Sequence, residues 1–288
     1  MRLASIRVED DATAATELGI GVHCAILEPA LFEQRYTRGL NRPRSGKLNI
    51  AAHAAFELEQ LAAGREVLSD REYERCLRIR DALARQPWRG ALLDGPGLVE
   101  LSVLWTDDDS GVRCKARCDR LSLSYQRPDW PEPAPVVVDI KTSEDASPEG
   151  FRRSISRYGY HVQARLQLEG LAYHDPRTWL DPGTLEVRPE QYVWLVLEKA
   201  EPFEAALYSP STEMLDEAGL RVRHALALWR ECERSGHWPG FPGEPQLLDL
   251  PAWEVRAERR ARERWNGPPR LRHDERDILE RTPPDELM

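Results

Sequence analysis

The sequence feature that most constrains the fold is the stretch Pro135–Thr142, which reads PVVVDIKT. A run of β-branched residues after a proline is typical of a short, fully buried strand. Because side chains alternate along a strand, Asp139 and Lys141 share one face, about 7 Å apart along the backbone, while Ile140 points away. Charged residues directly after a buried run must be paired, bind a metal or reach solvent. Taken alone, the stretch fits best a strand end that simply emerges into water.

The length and charge of the chain limit the classes of protein that it can be. Its 288 residues suffice for one large domain or two small ones, and 41% hydrophobic residues can bury a sizeable core. No apolar run is long enough to span a membrane, and the N-terminus lacks a signal-peptide core, so we expect a cytoplasmic protein. The net charge of −9 argues against a nonspecific basic coat for nucleic acid, but it leaves room for a local binding groove.

The periodicity of the apolar residues predicts an α+β (mixed α/β) fold that is organised around one sheet. Capping residues place two helix starts, because Ser69 is followed by Glu72 and Ser147 by Pro148. The predicted helices span 11–36 with a break at Pro29, 49–64, 69–86, 147–173 with a break at Gly159, and 212–234. The predicted strands span 98–106, 112–122, 135–142, 191–199 and 204–208.

The order of these elements predicts a single domain over residues 1–255. It would contain a helical part at 11–86, a catalytic core at 95–235 and a C-terminal loop segment at 236–255. Residues 256–288 are densely charged, so we expect an exposed tail. Within the core, three consecutive strands are joined by short connections, which predicts an antiparallel meander.

Each strand of this meander carries one acidic residue, namely Glu100, Asp119 and Asp139. If the strands lie side by side, Asp119 and Asp139 converge at one edge, with Lys141 next to them. Several carboxylates in one place repel each other unless a cation is present, and such oxygen-rich sites suit Mg²⁺ or Mn²⁺. A divalent ion with a nearby lysine is the chemistry of phosphodiester hydrolysis. The alternative for Glu100 is a solvated strand end.

The order Asp, Asp-x-Lys and then a helix with Gln resembles the PD-(D/E)XK nuclease superfamily. More narrowly, the chain resembles the PDDEXK domain of RecE-type exonuclease VIII and, more distantly, lambda exonuclease. The resemblance covers most of residues 15–255. Its most specific stretch is VVVDIKTSEDASPEGFRRSISRYGYHVQARL, and the others are GIGVHCAILEPALFEQRY, VELSVLW with GVRCKARCDRL, and GHWPGF with LDLPAW.

The resemblance implies a restriction-endonuclease-like core, a mostly antiparallel meander sheet flanked by helices. It also implies a magnesium site, in which Mn²⁺ substitutes for Mg²⁺. The implied metal ligands are His23, Asp119, Asp139 and the carbonyl group of Ile140. The implied catalytic residues are Glu100, Asp119, Asp139, Lys141 and Gln163. Without the resemblance, a lone histidine such as His23 beside an apolar stripe is more often a core residue.

A basic helix face follows the third strand of the meander. Arg152, Arg153 and Arg157 lie on the exposed side of the predicted helix, and Tyr160 begins its second half. Most such faces are simply solvated. Next to a nuclease site, however, these residues are candidates for contacts with DNA phosphates.

Two features depart from the family pattern. The family often has Gln-x-x-x-Tyr in this helix, whereas four residues after Gln163 stands Gln167. A glutamine can still form hydrogen bonds, but the phenol is lost at this position. In addition, only a short segment precedes the helix that carries His23, where relatives have a longer one. A missing DNA-binding wall or a trimmed start codon would explain that difference.

The resemblance implies a metal-dependent 5′→3′ exonuclease on linear duplex DNA, acting in phage or prophage recombination. The resemblance also implies a ring-shaped homo-oligomer that works with a single-strand annealing protein. One alternative is an endonuclease or single-strand nuclease of the same fold. The other is a DNA-binding or assembly protein whose nuclease site has decayed.

Overall fold

The structure is a computed structural model that describes residues 14–41, 45–127, 130–173, 191–241 and 243–264. The predicted helix start at 11–13 and the part of the predicted tail after residue 264 lie outside the described residues. The chain forms two compact units, 1–237 and 238–288. The division of the chain at residue 255 stays a prediction.

The described part of the first unit is built on a five-stranded sheet. In sheet order its strands are β3 (Gly97–Thr106), β4 (Arg113–Tyr125), β5 (Ala134–Ser143), β6 (Tyr192–Glu198) and β7 (Ala205–Tyr208). β3, β4 and β5 form the predicted antiparallel meander, β6 joins β5 in parallel, and β7 is antiparallel to β6. The mixed α+β class with a mostly antiparallel sheet is thereby confirmed.

Capping residues and chain breaks fix the ends of the helices. Ser69 and Glu72 form the predicted capping box, and Ser147 accepts a hydrogen bond from the backbone of Gly150. Gly159 has a φ of +72°, a left-handed conformation that ends one helix and begins the next. In the first unit, the helices are α1 (Ala14–Leu27), α2 (Pro29–Arg35), α3 (Lys47–Ala62), α4 (Asp70–Leu83), α5 (Pro148–Tyr158), α6 (Tyr160–Ala172) and α7 (Thr212–Ser235).

Helices cover both faces of the sheet, which explains why β5 reads as a continuous apolar run. Val136, Val138 and Ile140 pack in a core cluster with α1 and α4. Val137 faces the opposite way, into a second cluster with α5, α6 and α7. All four side chains are buried. A central strand with two buried faces needs apolar residues at successive positions.

The structure contains two local features that the sequence analysis did not predict. A short parallel pair joins β1 (Tyr36–Arg38) to β2 (Glu66–Leu68). A π-helix spans Gly90–Asp94 and precedes β3. The buried guanidinium of Arg120 ties this region to the sheet, because its Nε donates a hydrogen bond to the carbonyl of Leu92 at 3.1 Å.

The second unit contains one described helix, α8 (Ala252–Arg264), which has no buried residues. This exposure agrees with the dense charge of its sequence. None of the helices in the described part of the chain combines the length and apolar character that crossing a membrane requires.

The helix α6 packs closely against β3 at Gly170. A β-carbon added at Gly170 would lie 2.6 Å from Cζ3 of Trp105 and 2.8 Å from Cγ2 of Val103. Both neighbours are buried side chains, so neither can move away freely. The absence of a side chain at this position therefore sets the distance between helix and sheet.

We expect Gly170→Ala to lower the free energy of unfolding by about 1 to 3 kcal/mol, as overpacking of a core does. This loss opposes the gain in helix propensity of about 1 kcal/mol that alanine normally brings. The measurement is urea unfolding followed by circular dichroism. The control is Gly90→Ala, where no atom lies within 4 Å of the added carbon. Equal stability of the two variants would contradict this packing.

Candidate active site

The centre of the site is a carboxylate and an ammonium group on β5. Asp139 and Lys141 point to the same face, as the alternation of the strand predicts, and Oδ2 of Asp139 lies 2.6 Å from Nζ of Lys141. The Asp139 side chain is 0% exposed and that of Lys141 is 12% exposed. The strand end therefore does not emerge into water, and the charges remain inside because they are paired.

Residues at the start of α6 hold the ammonium group of Lys141 in place. Oε1 of Gln163 accepts a hydrogen bond from Nζ of Lys141 at 3.0 Å. Nε2 of the same amide donates to Oδ1 of Asp139 at 3.2 Å. The ring of Tyr160 lies under the ammonium group, with Nζ 4.7 Å from the ring centroid. Gln163 thus bridges the two charged side chains.

The pairing of β3 with β4 is interrupted at two acidic residues. Val99 pairs with Arg120 and Leu101 with Cys118, so that Glu100 and Asp119 lie between these pairs on neighbouring strands. Glu100 has a φ of +53°, which is uncommon for a residue with a side chain. Such local strain is often found at functional sites. The break places both carboxylates at the same level of the sheet.

His23 on α1 completes a cluster with these two carboxylates. Nδ1 of His23 lies 3.5 Å from Oδ2 of Asp119, and one ligand atom each of His23, Glu100 and Asp119 lies within 4.8 Å of the others. Oδ2 of Asp119 also accepts a hydrogen bond from the backbone nitrogen of Ile140 at 2.7 Å. Glu100 pairs with Nε of Arg117 at 2.9 Å.

Burial dominates the electrostatics of these groups. It raises the pKa of Asp139 to about 6, against the effect of Lys141 and with a contribution from the charge of Asp119. Burial is also the main cause that raises the pKa of Asp119 and of Glu100. The pKa of His23 is lowered by burial and then by the charge of Lys141. His23 is therefore neutral at neutral pH, the form in which an imidazole can bind a metal.

The residues present fit a divalent cation. One imidazole nitrogen and two carboxylates are grouped around a common point, and nitrogen with oxygen donors suits several divalent ions. In addition, the buried Oδ2 of Asp139 makes no hydrogen bond of regular geometry, although it contacts Lys141. The structure thus brings His23, Glu100 and Asp119 into one cluster and places Asp139 beside it with Lys141.

Three of the predicted DNA contacts, Arg153, Arg157 and Tyr160, line one cavity together with Lys141. Arg152, Arg153 and Arg157 are exposed on α5, and Tyr160 is half-buried at the start of α6. Arg153 is engaged in ion pairs with Glu149 and Asp145.

A buried tyrosine on β6 takes part in the site, and the sequence analysis missed it. Gln167 does not face the carboxylates: its Nε2 donates to the carbonyl of Arg117 at 2.7 Å, and its Oε1 accepts from the hydroxyl of Tyr192 at 2.6 Å. Burial, followed by the charge of Asp139, holds the pKa of Tyr192 well above its usual range. No local sequence signal links Tyr192 to Asp139, because only the parallel pairing of β5 with β6 brings them together.

Comparison with known families shows to which family the chain belongs. The sequence profile of the family described as "PDDEXK-like domain of unknown function (DUF3799)" matches residues 3–251. The chain belongs to this family. The predicted membership of the PD-(D/E)XK superfamily is confirmed.

One solved structure is similar to this PDDEXK-like chain over most of its length. It is the crystal structure of a protein from Eubacterium rectale described as a "putative exonuclease". The two chains are 12% identical, with a TM-score of 0.45, over 87% of this chain and 81% of the other. No curated protein matches the sequence.

We expect Mg²⁺ or Mn²⁺ to stabilise the protein against heat, since an ion that binds only the folded state raises the melting temperature. At a free ion concentration of about ten times its dissociation constant, the melting temperature should rise by about 3–6 °C. The measurement is thermal unfolding of each variant with the ion and with EDTA. Asp119→Asn and His23→Ala should lose the rise, whereas the exposed control Asp216→Asn should keep it.

The size of this thermal shift should depend on pH. The pKa of Asp139 is raised from 3.8 to about 6, so between these values the folded state holds more protons than the unfolded state. Without metal, this residue therefore lowers stability as pH rises through that window. A cation competes with the proton, so we expect a small shift at pH 5 and a full one at pH 7.5. A shift of equal size at both pH values would contradict a site that includes these carboxylates.

Proposed function

We propose that this PDDEXK-like protein is a metal-dependent nuclease that hydrolyses phosphodiester bonds in DNA. The observation that carries the proposal is the buried contact between Asp139 and Lys141 beside the cluster of His23, Glu100 and Asp119. A structural ion pair would not need three further ionisable groups, each with a pKa shifted by burial, next to it. Shifted groups of this kind, collected at one end of a sheet, are typical of a catalytic site.

The expected cofactor is Mg²⁺, with Mn²⁺ as a substitute. His23 and Asp119 would hold it, with Glu100 and Asp139 as the nearest further carboxylates and the Ile140 carbonyl as the predicted backbone ligand. When bound, a divalent ion supplies Lewis-acid stabilisation of the charge on a phosphoryl group and makes water a better nucleophile.

The protein's own groups would position and stabilise the reacting phosphate. Lys141 carries a positive charge whose direction is fixed by Asp139, Gln163 and Tyr160. A charge that is held in place before the reaction costs no reorganisation when negative charge develops on the phosphate. Gln163 acts through Lys141 and is a positioning residue in this scheme.

The more specific form of the proposal is a 5′→3′ exonuclease on linear duplex DNA, which acts in phage or prophage recombination. It rests on the resemblance of the sequence to RecE-type domains. The same resemblance supports a ring-shaped homo-oligomer and a single-strand annealing protein as its partner.

We expect the purified protein with Mg²⁺ to degrade linear duplex DNA and to spare covalently closed circles. Asp139→Asn should lose cleavage altogether. Lys141→Met should lower the rate about 10²- to 10³-fold, as removal of one stabilising donor does, and should keep the thermal shift with Mg²⁺. The matched control is Lys115→Met, which removes an exposed lysine on β4. Rates follow from the release of acid-soluble nucleotides.

The other outcomes of this assay separate the alternatives. Cleavage of closed circles would show an endonuclease of the same fold. Binding of DNA without cleavage, with either Mg²⁺ or Mn²⁺, would show a binding or assembly protein with a decayed site. Full activity of Asp139→Asn would place the catalytic centre elsewhere.

A further inference from the structure

A cavity of about 330 Å³ begins at Lys141 and extends away from the carboxylate cluster. Its lining includes Tyr158, Tyr160, Arg157 and the segment 142–145. The volume lies at the lower end of the range for small-molecule sites in proteins. It therefore suits a single nucleotide unit and is far too small for a duplex.

A continuous series of stacked aromatic rings reaches this cavity, and three of its members, Phe151, Tyr160 and Tyr158, line it. Tyr208 stacks on Phe151 with a centroid distance of 5.3 Å, and Phe151 stacks on Tyr160 at 6.0 Å. Tyr160 in turn stacks on Tyr158 at 5.5 Å. The rings are inclined by no more than 28°. The series includes the buried ring of Phe151 and ends at Tyr158, which is 61% exposed.

A cation lies beside the exposed end of this series. The guanidinium of Arg157 is 5.5 Å from the ring centroid of Tyr158. The other cations of the wall are engaged: Arg153 pairs with Glu149 at 2.8 Å, and Lys199 with Glu144 at 3.0 Å. Within the described ranges, Arg157 forms no ion pair. Its charge is therefore available to an anionic ligand.

We propose that this cavity holds one unpaired nucleotide of a DNA strand, with its base stacked on Tyr158 and its phosphate near Arg157. Every nucleobase has a planar face, so an exposed tyrosine that continues a stack binds bases without sequence preference. Because Lys141 lines the cavity, the neighbouring phosphodiester of the same strand would lie at the catalytic residues. The inference rests on the proposed nuclease function and adds to it that the strand enters the site unpaired.

The experiment measures binding without cleavage. The full-length protein carrying Asp139→Asn is titrated in EDTA with a fluorescent duplex that ends in a three-nucleotide single-stranded overhang. Adding Tyr158→Ala should weaken binding about 5- to 100-fold, the range for loss of one stacked base. Tyr158→Phe, which keeps the ring, should bind as the parent does. The matched control is Tyr173→Ala, an exposed tyrosine that stacks on Trp105 outside this cavity.

A second substrate, with abasic residues in the overhang, tests stacking directly. The affinity of the parent protein for this substrate should fall by the same factor as Tyr158→Ala lowers it on the normal overhang. The affinity of the Tyr158→Ala variant should not fall further on the abasic substrate, because the two changes remove one interaction. Additive losses, or equal affinities of Tyr158→Ala and Tyr173→Ala, would overturn the inference. Binding of free dTMP as tight as that of the overhang would show instead a site for mononucleotides and would also overturn it.

The failure of this inference and the failure of the proposed function look different. If the protein without substitutions degrades linear DNA while binding does not depend on Tyr158 or on the bases, only the unpaired-nucleotide site is wrong. If it neither cleaves DNA nor binds the overhang substrate, both are wrong.

Discussion

The contact between the Asp139 carboxylate and the Lys141 ammonium group is the interaction on which the rest of the structure depends. A carboxylate with no exposed surface is costly to bury, and its neighbours show how the cost is reduced. Gln163 binds both partners. Tyr160 contributes its ring, and Tyr192 approaches from the next strand. Each of these groups comes from a different point of the chain, and β5, β6 and α6 must pack correctly to bring them together.

The cluster beside this pair has a different character. His23, Glu100 and Asp119 keep unused ligand capacity, and burial shifts the pKa of each away from its usual value. The left-handed φ of Glu100 adds backbone strain at the same place. Arrangements that weaken the fold locally are expected where activity requires them. The stability of this region and its proposed activity therefore make opposite demands. A bound cation would reduce both the repulsion between the carboxylates and the free-energy cost of burying their charges.

The sequence predicted those parts of the fold that local patterns determine. The alternation in β5 placed Asp139 and Lys141 on one face, and caps at Ser69 and Ser147 placed the starts of α4 and α5 correctly. The parallel pair of three-residue strands was missed because such strands are too short to show a period. The proximity of Tyr192 to Asp139 was also missed, since it depends on pairing between strands that are far apart in the chain. The left-handed φ of Glu100 could not be predicted either, because a glutamate gives no indication of this backbone conformation in the sequence.

The central claim is that a divalent cation binds between the imidazole of His23 and the carboxylate of Asp119. The most direct test is a crystal structure of the protein soaked in Mn²⁺, with data collected for anomalous scattering. The account predicts one strong anomalous peak at coordination distance from both side chains, adjacent to Asp139. Well-ordered side chains in the predicted positions without such a peak, or with the peak at another site only, would contradict it.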